Sequence, residues 1–315
     1  MHEELAQLFM AHIVKRYAGV QAGARLVHYS SADAAYKILQ SKEVWLRDTR
    51  LMNDFSELQH GLTCLLKAWK SESGELFKAW MDGIYPGLTG RTEEIFNAHS
   101  PRLLDSTYMM SLSEHDDDED VYGRLSMWRA YGGSAGVALV LNGTIFISET
   151  EELNVFSAPV VYCDLAGFQI LFDDWVAGIT ANEDIIRRGG EEQVLAHLFQ
   201  SLRIFVLCTK HPGFCEEREW RIFHTPSLDG ESDWLDFDMT SIGGVPQAIQ
   251  RLALRDDEAR GIVGVAIPTL VNKIIIGPCD HPDPIRDTLA GMLVRAGLEG
   301  GSERVTISNV PLRRS

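Results

Sequence analysis

"RLVHYSSADAAYKILQSKEVWLRDTRLMNDFSE", residues 25–57, decides the fold class, because it runs strand, helix, strand and loop within one short span. "ARLVHYSS" is a short strand with apolar flanks, and Ser30 or Ser31 supplies a side-chain oxygen that can N-cap the helix "ADAAYKILQ". "EVWLRDT" returns as a strand. Beyond "RLMND", where Asn53 and Asp54 read as helix caps ahead of Glu57, Leu58, Leu62, Leu65, Leu66 and Trp69 recur at helical steps as a buried face.

Outward from this stretch, strands and helices keep interleaving. An amphipathic helix over about 2–17 places Leu5, Leu8, Phe9 and Ile13 on one face. Residues 74–105 read as mostly helical, with "YPGLTG" as an internal turn. "STYMMSLSE" is a strand with Ser111 and Ser113 on one side, followed by the acidic run "EHDDDED", a solvated loop by its charge density. "VYGRLSMWRAY" is a helix ending at Gly132-Gly133, and "AGVALVL" is a buried strand. "FSAPVVYC" is a strand, two helices over about 164–183 and 191–207 follow it, and "EREWRIFH", "GIVGVAIP" and "NKIIIGP" are further strands. A helix over 283–297 leads into a last strand, "RVTISNV". The alternation is not that of a doubly wound fold, so the class is α+β. The expected organisation is an N-terminal helical extension over 1–24 and one α+β domain over 25–315, with helical insertions at about 56–105 and 164–207.

Composition narrows the partners. With 315 residues and 45% hydrophobic content the chain can bury a large core, and no apolar run approaches the roughly 20 residues that span a bilayer. The acidic start "MHEELAQLFMAHIVKRYAG" is unlike a secretory signal, so the expected location is the cytoplasm, with no membrane partner. Cys64, Cys163, Cys208, Cys215 and Cys279 are odd in number and widely spread, as befits reduced thiols. A formal net charge of -16 opposes non-specific attraction to polyphosphates without barring nucleic acid as a substrate.

Three constellations carry chemistry. In "FCEEREWRIF" strand alternation sends Glu217, Glu219 and Arg221 to one face, either as an exposed sheet face with ion pairs or as cleft carboxylates held by an arginine. Glu219, beside Trp220, is the preferred key residue. His28 and Tyr29 sit where a strand meets a helix N-terminus, so unsatisfied N–H groups near Ser30 and Ser31 could receive a ribose hydroxyl or a phosphate. Trp128 and Tyr131 are either core residues, as expected for Met127, or an aromatic wall for a flat heterocycle, and Ser111 and Ser113 are either plain strand residues or braces for a carboxylate. Cys208, His211 and Cys215, with Cys279 and His281, do not follow the spacing of a common zinc module, so no metal is expected. Phosphate-loop, dinucleotide, esterase and zinc-protease motifs are absent.

Read together, "LVHYSS…ILQSKEVWLRDTRLMNDFSE", "MSLSE…MWRAYGGSAGVALVL", "CTKHPGFCEEREWRIF" and "NKIIIGP…VTISNVPLR" resemble the bacterial domain-of-unknown-function family 2971 over about residues 25–314. That family is in turn similar to the ADP-ribosyltransferase superfamily, whose members bind NAD in a cleft of a split β-sheet. The resemblance implies a split-sheet core with large helical insertions, with His28 on the first strand against the nicotinamide ribose and Glu219 in the late catalytic position. It implies that Glu217-Arg218-Glu219 acts as a Glu-x-Glu signature, with Glu217 orienting the nucleophile. Ser111-x-Ser113 and Tyr131 compete for the middle position, the first resembling the toxin branch and the second the polymerase-like branch. His28, Tyr29, Ser30, Ser111, Ser113, Trp128, Tyr131 and Arg221 would then surround NAD, the substrate. The implied activity is NAD-dependent transfer of ADP-ribose to an unknown protein or nucleic-acid acceptor, in a toxin or antiphage-defence effector. A non-catalytic nucleotide-sensing or interaction module and an NAD glycohydrolase are the alternatives, and the oligomeric state is open.

Overall fold

The computed structural model describes residues 2–21, 23–51, 55–147 and 151–311, so Asn53 and Asp54 lie outside it. It divides into two compact units. The first comprises Met1–Ala18, Thr49–Thr107 and Ala158–Cys215, and the second Gly19–Asp48, Tyr108–Ser157 and Glu216–Ser315. The stretches read as helical insertions, 56–105 and 164–207, both fall in the first.

The strands in chain order are β1 (Arg25–Ser31), β2 (Glu43–Asp48), β3 (Tyr108–His115), β4 (Gly136–Asn142), β5 (Phe156–Pro159), β6 (Val161–Tyr162), β7 (Thr209–Lys210), β8 (Glu219–His224), β9 (Leu235–Ile242), β10 (Val245–Ala253), β11 (Val271–Ile276) and β12 (Val305–Ile307).

In the first unit the helices His2–Phe9, Phe55–Trp69, Glu72–Ile84, Leu88–Asp105, Leu165–Thr180 and Glu191–Leu207 enclose an aromatic core. Trp175 lies 5.3 Å from Phe77, 5.5 Å from Phe172 and 5.5 Å from Phe205, and its indole N–H donates to the Phe9 carbonyl at 2.8 Å. Glu191–Leu207 is the central helix, with every residue from Ser201 to Leu207 buried. Phe55–Trp69 crosses it at Gly61, where a Cβ would overlap the Val206 carbonyl oxygen. The apolar positions expected on that helix divide: Leu58, Leu65 and Trp69 are buried, while Leu66 faces out at 39% exposure. The N-terminal helix, expected to run over 2–17, breaks at Met10 into His2–Phe9 and Ala11–Gln21. β6 and β7 form a short parallel pair.

The second unit is built on a mixed sheet, in the order β12-β11-β4-β1-β3-β2-β10-β9. Only β11 and β12 run parallel among these neighbours. A mixed sheet with many helices is an α+β architecture. β8 pairs with β3 along its length, from Tyr108↔His224 to Ser113↔Glu219, and so fills one edge of β3. A strand has only two edges, so β1 and β2 share the other. They pair with different ends of it: Arg25–Val27 with Ser113–His115, and Arg47–Asp48 with Tyr108–Met109. No register spans Met110–Leu112 on that edge. β1 and β2 are both antiparallel to β3 and joined by the helix Ala32–Ser41, so they diverge from a common strand and leave the sheet open between them.

The structure departs from expectation at three places. "FSAPVVYC" is not one strand: it breaks after Pro159 into β5, which belongs to the large sheet, and β6, which pairs with β7. "GIVGVAIP" is not a strand, because Gly261 and Gly264 adopt φ of 71° and 92° and Ile267–Leu270 is a helical turn. The hairpin β9–β10 was not read, although Gly243-Gly244, at φ of 59° and 83°, is a two-residue turn between alternating segments.

Candidate functional site

Strand β3 brings together His28, Ser111, Ser113, Glu219 and Arg221. Ser111 stands opposite Arg221 and Ser113 opposite Glu219, and directly paired residues of an antiparallel ladder share a face. Val27 is in turn paired with Ser113, so these side chains lie on the Val27–Tyr29 face of the sheet. Ser111 Oγ donates to Glu219 Oε1 at 2.5 Å. Arg221 grips the same carboxylate in two places, Nε to Oε1 at 2.9 Å and Nη2 to Oε2 at 3.1 Å. The side chains of Arg221 and Glu219 are only 4% and 6% exposed, so this is a buried, bidentate ion pair with a hydroxyl added.

His28 follows the last β1 residue paired with β3 and, by alternation, leaves the strand on the face opposite Val27, Tyr29 and Glu219, its ring reaching the edge of β3. Its Nδ1 lies 3.1 Å from the Ser111 carbonyl oxygen, so a side chain takes up a carbonyl on the open edge of β3. A carbonyl only accepts, so Nδ1 carries the proton. Burial pushes the imidazole below its ordinary pKa and outweighs the opposing effect of the Ser111 bond. The ring is therefore neutral at pH 7, with Nε2 as an acceptor suited to a ligand hydroxyl or amide.

Other expected residues sit differently. Tyr29 shares the Glu219 face but is already engaged: its ring meets Trp128 edge-on at 4.9 Å and its hydroxyl accepts the Arg124 backbone N–H at 2.8 Å. Trp128 is 1% exposed, within a cluster of Val27, Tyr29, Met127, Ala138, Val140 and Ile275, and its N–H donates to the Tyr122 carbonyl. It therefore offers no stacking wall. Tyr131 packs on the edge of that cluster, and its hydroxyl donates to Glu217 Oε1 at 3.3 Å.

Glu217 is not in the strand. Arg218 adopts a left-handed φ of 47° and ends the extended run, so Glu217 does not share the Glu219–Arg221 face by strand alternation. At the start of the Ala32–Ser41 helix the expected free donors are partly committed. Ser31 Oγ caps the Ala34 N–H and the Ala32 N–H bonds the Ala135 carbonyl, while Ser30 is paired with Val137.

Sequence reasoning missed Arg124. It precedes the helix Leu125–Tyr131, and its guanidinium donates to Glu119 Oε1 and to the carbonyls of Glu114, Glu216 and Glu217. Nothing in its spacing announces this role. The acidic run is also more than a solvated loop. Asp120 accepts from Lys273, His115 and Arg25, and although burial opposes its charge, these bonds hold its carboxyl at about 2. Asp116, Asp117 and Asp118 are exposed, as expected of such a run.

All five cysteines are free. Cys208 is buried and Cys215 exposed, and His211 Nδ1 accepts from the Gly213 N–H. Among the described residues no group of three or more His, Cys, Asp or Glu is arranged to hold a metal ion. No helix among them is long and apolar enough to cross a membrane.

No curated protein and no solved structure matches the chain. The family match is narrower than the resemblance traced in the sequence: it takes in Trp128, Tyr131, Glu217, Glu219 and Arg221 but not His28, Ser111 or Ser113. Residues 127–222 match the family described as "Protein of unknown function (DUF2971)".

Proposed function

We propose that the protein is an NAD-dependent ADP-ribosyltransferase that cleaves the nicotinamide–ribose bond at Glu219. The observation that supports this reading is the sheet opening on β3, where Glu219, braced by Ser111, lies opposite the strand edge bonded by a neutral His28.

As the glycosidic bond breaks, its electron pair leaves with nicotinamide, which departs neutral, and the ribose gains oxocarbenium-like positive charge. A fixed carboxylate stabilises that charge more in the transition state than in the ground state. Ser111 keeps Glu219 in one rotamer, and His28 Nε2 accepts from a ribose hydroxyl. Glu217, tied to the Tyr131 hydroxyl, is half-buried and orients the acceptor nucleophile, whose proton is released as the new bond to the ribose forms. A toxin or defence effector is the biological role in keeping with this chemistry.

One observation favours a second reading. Arg221 engages both Glu219 oxygens, and a paired guanidinium offsets much of the charge that the transition state would use. A nucleotide-binding module without turnover would keep such a pair unchanged. Incubation of the purified protein with NAD, with and without cell lysate, separates the readings. Nicotinamide release only with lysate supports transfer, release in buffer alone supports hydrolysis, and binding without release supports the module.

A further inference from the structure

A guanidinium presents five N–H groups in a plane, and it organises backbone only where several carbonyls converge on that plane. Arg124 is such a case. Its Nε donates to Glu119 Oε1 at 2.8 Å, Nη1 to the Glu216 and Glu217 carbonyls at 2.8 and 3.1 Å, and Nη2 to the Glu114 carbonyl at 2.5 Å. Its backbone N–H donates to the Tyr29 hydroxyl at 2.8 Å. Tyr29 belongs to β1, Glu114 to β3, and Glu216–Glu217 lead directly into β8. One residue thus ties together the three strands that carry His28, Ser111 and Glu219.

The segment it holds is strained. Arg218 sits at φ 47°, a conformation that side-chain-bearing residues occupy only when their surroundings impose it. The Glu114 N–H bonds the Arg218 carbonyl at 2.9 Å, and the Arg218 side chain pairs with Asp116 at 2.7 Å. The backbone carbonyls of the two residues before it accept from Arg124, whose side chain is 13% exposed.

We infer that Arg124 is a positioning residue: it fixes the Glu216–Arg218 turn, and through it sets Glu217 and Glu219 against Ser111 and His28. The inference rests on the reading of Glu217 and Glu219 as site residues. Arg124→Lys keeps the charge, but one ammonium cannot span four acceptors, and Arg124→Gln loses the charge as well.

Hydrogen exchange followed by mass spectrometry on the full chain reads the turn directly, and nicotinamide release from NAD reads its consequence. In both variants exchange over Glu216–Glu219 rises about tenfold or more while β4 amides stay unchanged, because a local tether is lost and the fold is kept. Where wild type turns over, kcat falls about tenfold or more and KM for NAD stays within about threefold, as misplaced catalytic groups require. If Arg124→Gln does not fold, Arg124→Lys carries the test. Exchange over Glu216–Glu219 within about twofold of wild type overturns the inference, and so does faster exchange with kcat unchanged. If wild type releases no nicotinamide under any condition, the transferase reading fails by itself, and exchange alone decides whether Arg124 positions the turn.

Discussion

Replacing Glu219 by glutamine tests energetics and chemistry together. The carboxylate and the Arg221 guanidinium are both nearly inaccessible, at 6% and 4% exposure, and bonded at 2.9 and 3.1 Å. Removing one partner breaks this buried ion pair, at a cost of about 3–5 kcal/mol. Glutamine keeps one acceptor oxygen for Ser111 or Arg221 but turns an NH2 toward the other, which places the loss near the lower end, about 3 kcal/mol. For a unit of this size that lowers Tm by about 6–12 °C. Arg221→Met, which takes the guanidinium from the carboxylate, costs a similar amount. In the double variant Glu219→Gln/Arg221→Met the pair is absent altogether, so its loss is well below the sum of the two single losses. Urea denaturation followed by the fluorescence of buried Trp128, Trp220 and Trp234 measures all three. Losses that add within about 0.5 kcal/mol would refute the reasoning, since independent sites behave that way and coupled ones do not.

Other expectations are simpler to read. His28→Ala weakens NAD affinity about threefold to tenfold, the worth of one neutral hydrogen bond, and slows turnover by at least as much; calorimetry and single-turnover assays on one preparation check both. His12 stacks on Phe205 at 4.5 Å with neither ring nitrogen hydrogen-bonded, and burial pulls its pKa down to about 4. A lowered pKa means that the unfolded chain binds the proton more readily, so stability is full above about pH 6.5 and declines as pH falls towards 4. His12→Phe flattens that decline in acid urea melts; an unchanged acid limb would count against a buried neutral ring. Gly61→Ala costs about 1–3 kcal/mol by driving a methyl into the Val206 carbonyl, read as a lower urea midpoint.

How much of this the sequence disclosed depended on how local the signal was. β1, the Ser31 cap and β2 were legible because alternation and capping are written in adjacent residues. The pairing of Ser111 with Glu219 was not, since it joins residues 108 apart through a register that no local pattern encodes. Strand alternation predicted Glu219 and Arg221 on one face correctly and misplaced Glu217, because a positive φ at Arg218 is a consequence of tertiary contacts. Trp128 looked like a stacking wall and is core, where Gly123, Gly136 and Gly277 pack closely against its ring. Arg124 carried no signal at all, because its meaning lies in three carbonyls brought to it from two other segments.

The most direct test of the central claim follows nicotinamide by chromatography after NAD is mixed with wild type, with Glu219→Gln and with the charge-free double variant, each below its melting temperature and with added lysate. Catalysis by Glu219 predicts release by wild type and at least about a hundredfold less by both variants, the effect of removing a preorganised charge worth about 3 kcal/mol at the transition state. Release by folded Glu219→Gln at the wild-type rate, or none by wild type with any lysate although NAD binds, would contradict it.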